Sequence, residues 1–338
     1  MLRWGVAGCG WVARDFVAPA IAASSNGRVA ALYDISLPNL VTMAAAHPDA
    51  EAHSNLAEFL QTSDALYVAT PNDMHRPLVE AAAAAGVPVL CEKPMAATAG
   101  DARAMVSACA RAEILYATAF DQRFHPAHLH IAKLIRAGAL GTVTAIRIVY
   151  CCWLTKDFQS DNWRVDPARA GGGALMDLAP HGLDLASTLL GDRLGGIAAI
   201  GQSLVQDYDV EDGAMLLARS EAGVLVQLHV AYNCPGNLPR RRLEIVGTLA
   251  QIVATDTMGQ TPGGSVQMID AATGQAELLV VPDSDRSPFL NQVEAFARAV
   301  QHGIPFGFDP ADDLHIMELV ACAQLQANPW RDTHRNAA

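Results

Sequence analysis

Three groups of residues in this chain have the types and spacing for chemistry. The first is Gly8-Cys9-Gly10-Trp11-Val12-Ala13, a G-x-G-x-x-A turn. In such a turn Gly8 permits the sharp bend and Gly10 lets the backbone approach a pyrophosphate. Ala13 allows a helix to pack closely, with its N-terminus facing the phosphates. Asp34 follows 21 residues after Ala13, where a carboxylate accepts hydrogen bonds from a ribose 2′-hydroxyl and repels a 2′-phosphate. The spacing predicts a dinucleotide site that favours NAD over NADP, with NADP kept open. The plainer reading of Asp34 is a cap on the turn that follows it.

The second group is a pair of polar strand ends, Thr70-Pro71-Asn72 with His75, and Glu92-Lys93-Pro94. A doubly wound sheet holds its ligand at the carboxyl edge of its strands, so both join the candidate cofactor residues. A lysine there projects beside a nicotinamide, whereas elsewhere it would be a solvated loop residue. The third group follows Gly171-Gly172-Gly173: Asp177 and His181, four apart, share one face of a helix. Pro180 lies between them and either bends that helix or stands near its start. Hydride transfer at a carbinol carbon needs a nicotinamide, a group that exchanges the hydroxyl proton, and positive charge where alkoxide develops. His181 suits the proton step, because an imidazole titrates at about 6.5. Lys93 suits the charge, and Asp177 either orients His181 or binds a substrate hydroxyl. The opposing assignment gives the proton step to Lys93.

The elements that must position these groups follow from periodicity. Short apolar runs at 2–7, 29–34, 65–70, 87–92 and 114–119 alternate with Ala-rich helical segments at 16–24, 77–85 and 99–112. This is the pattern of βαβ units and a parallel sheet. After 142 the pattern turns to strands, with candidates at 143–154, 197–205, 214–219, 224–232, 242–246, 266–269 and 277–281 and one strong helical insertion. The expected fold is an α/β Rossmann domain over 1–121, then an α+β domain over 122–338 built on a large, open, mostly antiparallel sheet. Strands such as 224–230 are too apolar for a wet face. A sheet-to-sheet homodimer or homotetramer is therefore expected, unless loops or the C-terminal helices cover the sheet.

On Gly8-Cys9-Gly10, Thr70-Pro71-Asn72 with His75, Glu92-Lys93-Pro94, and Gly171-Gly172-Gly173-Ala174-Leu175-Met176-Asp177 with His181, in that order, the chain resembles the glucose-fructose oxidoreductase, inositol 2-dehydrogenase and MocA family. The resemblance implies NAD(P)-dependent hydride transfer to or from a sugar, inositol or sugar derivative, with Lys93 beside the reacting oxygen and Asp177 and His181 completing the site. It covers roughly the first half of the chain. Two other readings stand beside it: a non-sugar substrate of dihydrodiol or tetrapyrrole type, and a non-catalytic NAD(P)-binding sensor. Where family members often carry Asn before the Arg-Phe or Arg-Tyr element, this chain reads Asp121-Gln122-Arg123-Phe124, and an acid there alters the polarity near the nicotinamide carboxamide or the substrate, which leaves the exact substrate open. Arg123, Trp163 and Arg164 are candidate substrate contacts.

The remaining composition excludes other classes. A net charge of −12 argues against a nucleic-acid surface. Seven cysteines without CxxC spacing do not suit a disulfide framework. No run reaches 18 apolar residues, so neither membrane span nor signal segment is expected, and the cytoplasm is the default compartment. His125, His128 and His130 do not share one helical face, and no metal is expected.

Overall fold

The computed structural model describes residues 1–158 and 162–327. They divide into two compact units, one of Met1–Asp121 with Phe289–His315 and one of Gln122–Pro288 with the residues from Ile316 onward. The segment 289–315, which the linear division assigns to the second domain, belongs to the first unit. Its helix Pro288–His302 buries Phe289, Val293, Phe296 and Ala297 in that unit's core. The Phe296 ring centroid lies 5.5 Å from that of Trp4.

In the first unit, strands β1 (Leu2–Ala7), β2 (Gly27–Tyr33), β3 (Glu51–His53), β4 (Ala65–Val68), β5 (Val89–Glu92) and β6 (Tyr116–Ala119) form a six-stranded sheet in the order β3-β2-β1-β4-β5-β6. Every pairing is parallel. β4, β5 and β6 are buried along their whole length, as strands covered on both faces must be, and this is why they read as continuous apolar runs. Helices α1 (Ala18–Ala23), α2 (Leu37–Ala46), α3 (Leu56–Gln61), α4 (His75–Ala84) and α5 (Ala99–Arg111) connect the strands. β3 has no apolar run to announce it, being a three-residue edge strand of Glu-Ala-His. The strand order reverses between β1 and β4, and a ligand crevice opens at such a switch point. The turn after β1 and the turn after β4 meet there. Gly8 has φ +91°, and a Cβ on it would stand 2.7 Å from the Ala69 carbonyl carbon, so only glycine lets the two turns touch.

In the second unit, β7 (Val143–Cys151) is followed by the short helix Pro167–Ala170 and the long helix Ala174–Leu190. Strands β8 (Leu194–Gln202), β9 (Gly213–Ser220), β10 (Leu225–Ala231), β11 (Arg241–Gly247), β12 (Ala250–Thr255), β13 (Ser265–Asp270) and β14 (Ala276–Leu278) complete an eight-stranded sheet. Its order is β14-β13-β12-β11-β7-β10-β9-β8. β7 pairs with β10 in parallel and every other neighbour is antiparallel. The helix Ala174–Leu190 packs on one face, and Gly182 lets it sit close: a Cβ there would come 2.6 Å from a methyl of Leu228. Alternation along β9 buries Leu216 and Ala218 on that face. Met215 and Leu217 point the other way, where Ile200 and Leu225 join them, each more than half exposed. Among the described residues, no helix is long and apolar enough to cross a membrane.

Candidate active site

The Gly8 to Ala13 turn runs from β1 into a single π-helical turn, Ala13–Val17, and then α1. Within that turn the Ala18 N–H reaches the Ala13 carbonyl. A wide turn suits the approach to Pro19, which has no N–H to give. Trp11 lies edge-on to Phe16, and Phe16 stacks on Phe289, both at 5.5 Å. Val12 and buried Ala13 set the start of the helix. Nothing stands within 4 Å of where a Cβ of Gly10 would be. The open space over this backbone is what a pyrophosphate would fill.

Asp34 closes the turn from the other side. Its Oδ2 accepts the Cys9 N–H at 2.7 Å and its Oδ1 accepts the Ser36 N–H at 2.6 Å. A carboxylate offers about four lone-pair sites, so both bonds leave capacity for a ribose diol. At the end of β4 the Thr70 hydroxyl is buried and has no hydrogen-bond partner. An orphaned buried hydroxyl at a switch point fits a bound ligand that satisfies it. Pro71 precedes the 3₁₀ turn Asn72–Met74, in which Asn72 is buried. The residues of the first unit therefore fit a dinucleotide.

His75 is placed differently from the expectation of a ligand contact. It is fully buried, with Nδ1 at 3.1 and 3.2 Å from the carbonyls of Pro94 and Met95 and Nε2 at 3.0 Å from the carbonyl of Thr70. The ring ties the turn after β4 to the turn after β5 and so sets the height of Lys93. Burial holds its pKa below the usual imidazole range. Glu92 anchors the same turn from beneath. Its Oε1 accepts the Tyr67 hydroxyl at 2.7 Å and its Oε2 accepts the Lys93 N–H at 3.1 Å. The Lys93–Pro94 peptide is cis.

Burial pushes the Glu92 carboxyl up to about 7. Its folded pKa then lies above its unfolded value, so the protonated form is the one folding favours. The stability it contributes is full below the ordinary value of 4.5 and is lost as pH rises toward 7. Glu92→Gln keeps an acceptor for Tyr67 and cannot ionise. Relative to wild type, its melting temperature should rise between pH 4.5 and pH 7.5 by roughly 5–10 °C, because a carboxyl moved from 4.5 to about 7 loses on the order of 3 kcal/mol over that range, at about 2–4 °C per kcal/mol in a domain of this size. An increment that stays constant across that range would contradict the titration.

In the second unit, the helix Ala174–Leu190 runs through Pro180 without a break and presents Asp177 and His181 one turn apart. It starts at the triple glycine. Gly171 ends the preceding short helix in the left-handed region, with φ +83°. His181 is buried, and its ring meets the edge of Tyr150 at 5.3 Å. Asp177 is half-buried, and its Oδ2 accepts the Tyr232 hydroxyl at 2.7 Å. Burial, with the Asp177 carboxylate, holds the Tyr232 phenol well above its usual range, so it donates at every working pH. Sequence reasoning missed Tyr232. Its one trace is an aromatic that closes an apolar strand pattern on the same side as Val230.

The three candidate substrate contacts fare differently. Arg123 is buried, with Nε 3.0 Å from both carboxylate oxygens of Asp184 and a further short bond from Nη2 to the same group. The buried pair fastens the turn that carries Arg123 to the helix one turn beyond His181. Trp163 and Arg164 lie in a 3₁₀ turn, and the Arg164 guanidinium stacks over the Trp163 ring at 4.6 Å. Of the three neighbouring histidines, His125 caps the helix Pro126–Arg136 through its Nδ1. His128 bridges the Gln122 carbonyl and the Thr257 hydroxyl.

Comparison with known proteins converges on one family. Residues 2–120 match the model of an oxidoreductase family with an NAD-binding Rossmann fold, and residues 128–253 match the GFO/IDH/MocA C-terminal domain. A 1,5-anhydro-D-fructose reductase of Ensifer adhaerens is 31% identical over 309 residues, 90% of each chain. A D-xylose 1-dehydrogenase (NADP(+)) of Haloferax volcanii is 26% identical over 94% of this chain and 95% of its own. Among solved structures, an aldose-aldose oxidoreductase from Caulobacter crescentus complexed with glycerol superposes with a TM-score of 0.87 at 25% identity, over 98% of both chains.

Proposed function

The chain belongs to the GFO/IDH/MocA family of NAD-binding oxidoreductases, and on that premise we propose that it transfers a hydride between NAD(P) and a CH–OH or C=O carbon of a sugar, inositol or sugar derivative. The observation that carries this reading is the Asp177 and His181 pair on one face of a single helix, with the Asp177 carboxylate held by Tyr232. Names of relatives support the substrate class: a reductase of an anhydro-sugar and a dehydrogenase of a pentose.

A bound nicotinamide supplies or accepts the hydride. The chain's residues handle the rest. In the oxidising direction the carbinol carbon gives up its hydride and the hydroxyl oxygen gives its proton to His181, leaving a carbonyl; reduction reverses both transfers. Lys93 stabilises the charge on that oxygen. Asp177 orients His181 and accepts from a substrate hydroxyl. Gly8, Gly10, Trp11, Val12, Ala13, Asp34, Thr70, Pro71, Asn72 and Glu92 form the cofactor side, with His75 bracing it. The Asp34 carboxylate, where a 2′-phosphate would be repelled, favours NAD. Arg123 acts from its ion pair with Asp184 as a brace, and Trp163 with Arg164 borders the substrate.

The apolar face bearing Ile200, Met215, Leu217 and Leu225 supports a homodimer or homotetramer formed through the sheet. Light scattering of the purified protein should give two or four times the mass of 35.8 kDa. Seven cysteines, none in a disulfide, support a cytoplasmic setting. The function is tested by following the absorbance of the reduced nicotinamide across sugars, inositols and sugar lactones with NAD and NADP separately. Turnover with at least one sugar-type compound, faster with NAD, is expected. Tight cofactor binding with no turnover on any of them would instead favour a sensor.

A further inference from the structure

The long helix that carries Asp177 and His181 begins at Gly173, which has no side chain to cap it. The first amides of a helix need acceptors, and here a residue 38 positions away provides them. The Glu211 Oε1 accepts the N–H groups of Gly173 at 2.8 Å and Leu175 at 3.0 Å, and its backbone carbonyl accepts the N–H of Ala174 at 3.1 Å. Glycine is required at 173 because a Cβ there would collide with that same Glu211 carbonyl. A carboxylate at this end of a helix also complements the helix dipole.

The next residue holds the opposite side of Asp177. Asp212 is fully buried. Its Oδ2 gathers the N–H groups of Leu204, Val205 and Gln206 at 3.0, 2.6 and 2.9 Å, and its Oδ1 accepts from the Asn233 side chain at 3.0 Å. Its backbone carbonyl accepts the N–H of Tyr232 at 2.8 Å. The Tyr232 hydroxyl then returns to Asp177. These bonds close a ring that runs from Glu211 to the first turn of the helix, to Asp177, to Tyr232, to Asp212 and back along the chain to Glu211.

We infer that the Glu211–Asp212 dipeptide is the positioning element of this site: it grips the helix start with one residue and Tyr232 with the other, and so fixes the Asp177 carboxylate from both sides. Neither acid touches the reacting atoms. A carboxylate held by one bond can swing, whereas one set between an anchored helix turn and an anchored phenol has its place defined, and small misplacements of a site group cost up to about a hundredfold in rate. The inference rests on the reading that Asp177 takes part in the reaction.

The test is a double-mutant cycle in the full chain, with kcat measured for the substrate that the nicotinamide assay identifies. Glu211→Ala should lower kcat roughly 10- to 100-fold and leave the dissociation constant of the cofactor unmoved. Tyr232→Phe removes one oxygen, and should act in the same direction even if Glu211→Ala does not fold. In an Asp177→Asn background each should cost less than about threefold, because groups acting through one partner are not additive. Glu211→Gln, which keeps the accepting oxygen, should restore kcat to within about threefold of wild type. A folded Glu211→Ala with wild-type kcat, or an equal loss in the Asp177→Asn background, overturns the inference. Should Asp177→Asn itself turn over like wild type, the site reading beneath it fails instead.

Discussion

Lys93→Ala should lower kcat/KM by roughly 10²–10⁴-fold while NAD(H) still binds within about threefold of wild type. The range is what removing a charge-stabilising or proton-handling group from a developing alkoxide costs. Binding should survive because the parts of the first unit that fit a dinucleotide do not depend on this side chain: the open backbone at Gly10, the Asp34 carboxylate bonded to Cys9, and the buried Thr70 hydroxyl. The turn should survive too, since His75 and Glu92 hold it through backbone groups. Fluorescence titration of the cofactor and steady-state turnover, measured on one preparation, check both halves. Lys93→Arg separates the two roles open to the lysine. A guanidinium keeps its charge at any working pH and cannot exchange a proton. If Lys93 acts by charge, Lys93→Arg should retain at least about tenfold more activity than Lys93→Ala. If the two variants are equally inactive, the proton step moves from His181 to Lys93.

The fold and the site were legible in the sequence to different depths, for a physical reason. A Rossmann half announces itself locally: Gly8, Gly10 and Ala13 are contiguous, Asp34 ends the next long strand, and strands buried on both faces read as unbroken apolar runs. The alternation along β9 and β10 likewise reveals a sheet with one covered face. The shared helix of Asp177 and His181 was legible because helical spacing and a triple glycine are local features too. What escaped was everything made by long-range pairing. Glu211 caps a helix 38 residues earlier, Tyr232 reaches Asp177 across 55 positions, and Arg123 meets Asp184 across 61. No spacing rule connects such partners. In the sequence Glu211 and Asp212 look like an acidic loop, and Arg123 looks like a cation available to substrate. The place of the helix Pro288–His302 in the first unit escaped for the same reason, since its amphipathic pattern says that it packs but not on which unit.

His181→Ala should produce the second large loss, roughly 10²–10⁴-fold in kcat, the contribution of a positioned general acid or base. Its pH dependence identifies the cause. If His181 carries the proton, the wild-type profile of kcat/KM has a limb set by an imidazole, and His181→Ala should lack that limb and run flat through the neutral range. The neighbours of His181 sharpen the contrast. The ring is buried against the edge of Tyr150, and Asp177 stands one turn back on the same face, so an imidazole that carries the proton would do so in a fixed place rather than in bulk solvent. Asp177→Asn keeps the shape of the carboxylate, and Tyr232 can still donate to its amide oxygen. It should therefore cost less than His181→Ala, about 10–10²-fold. A His181→Ala variant with near-wild-type turnover across pH 6 to 9 would remove His181 from the proton step. The task would then fall to Lys93, and in that case Lys93→Arg should be as inactive as Lys93→Ala.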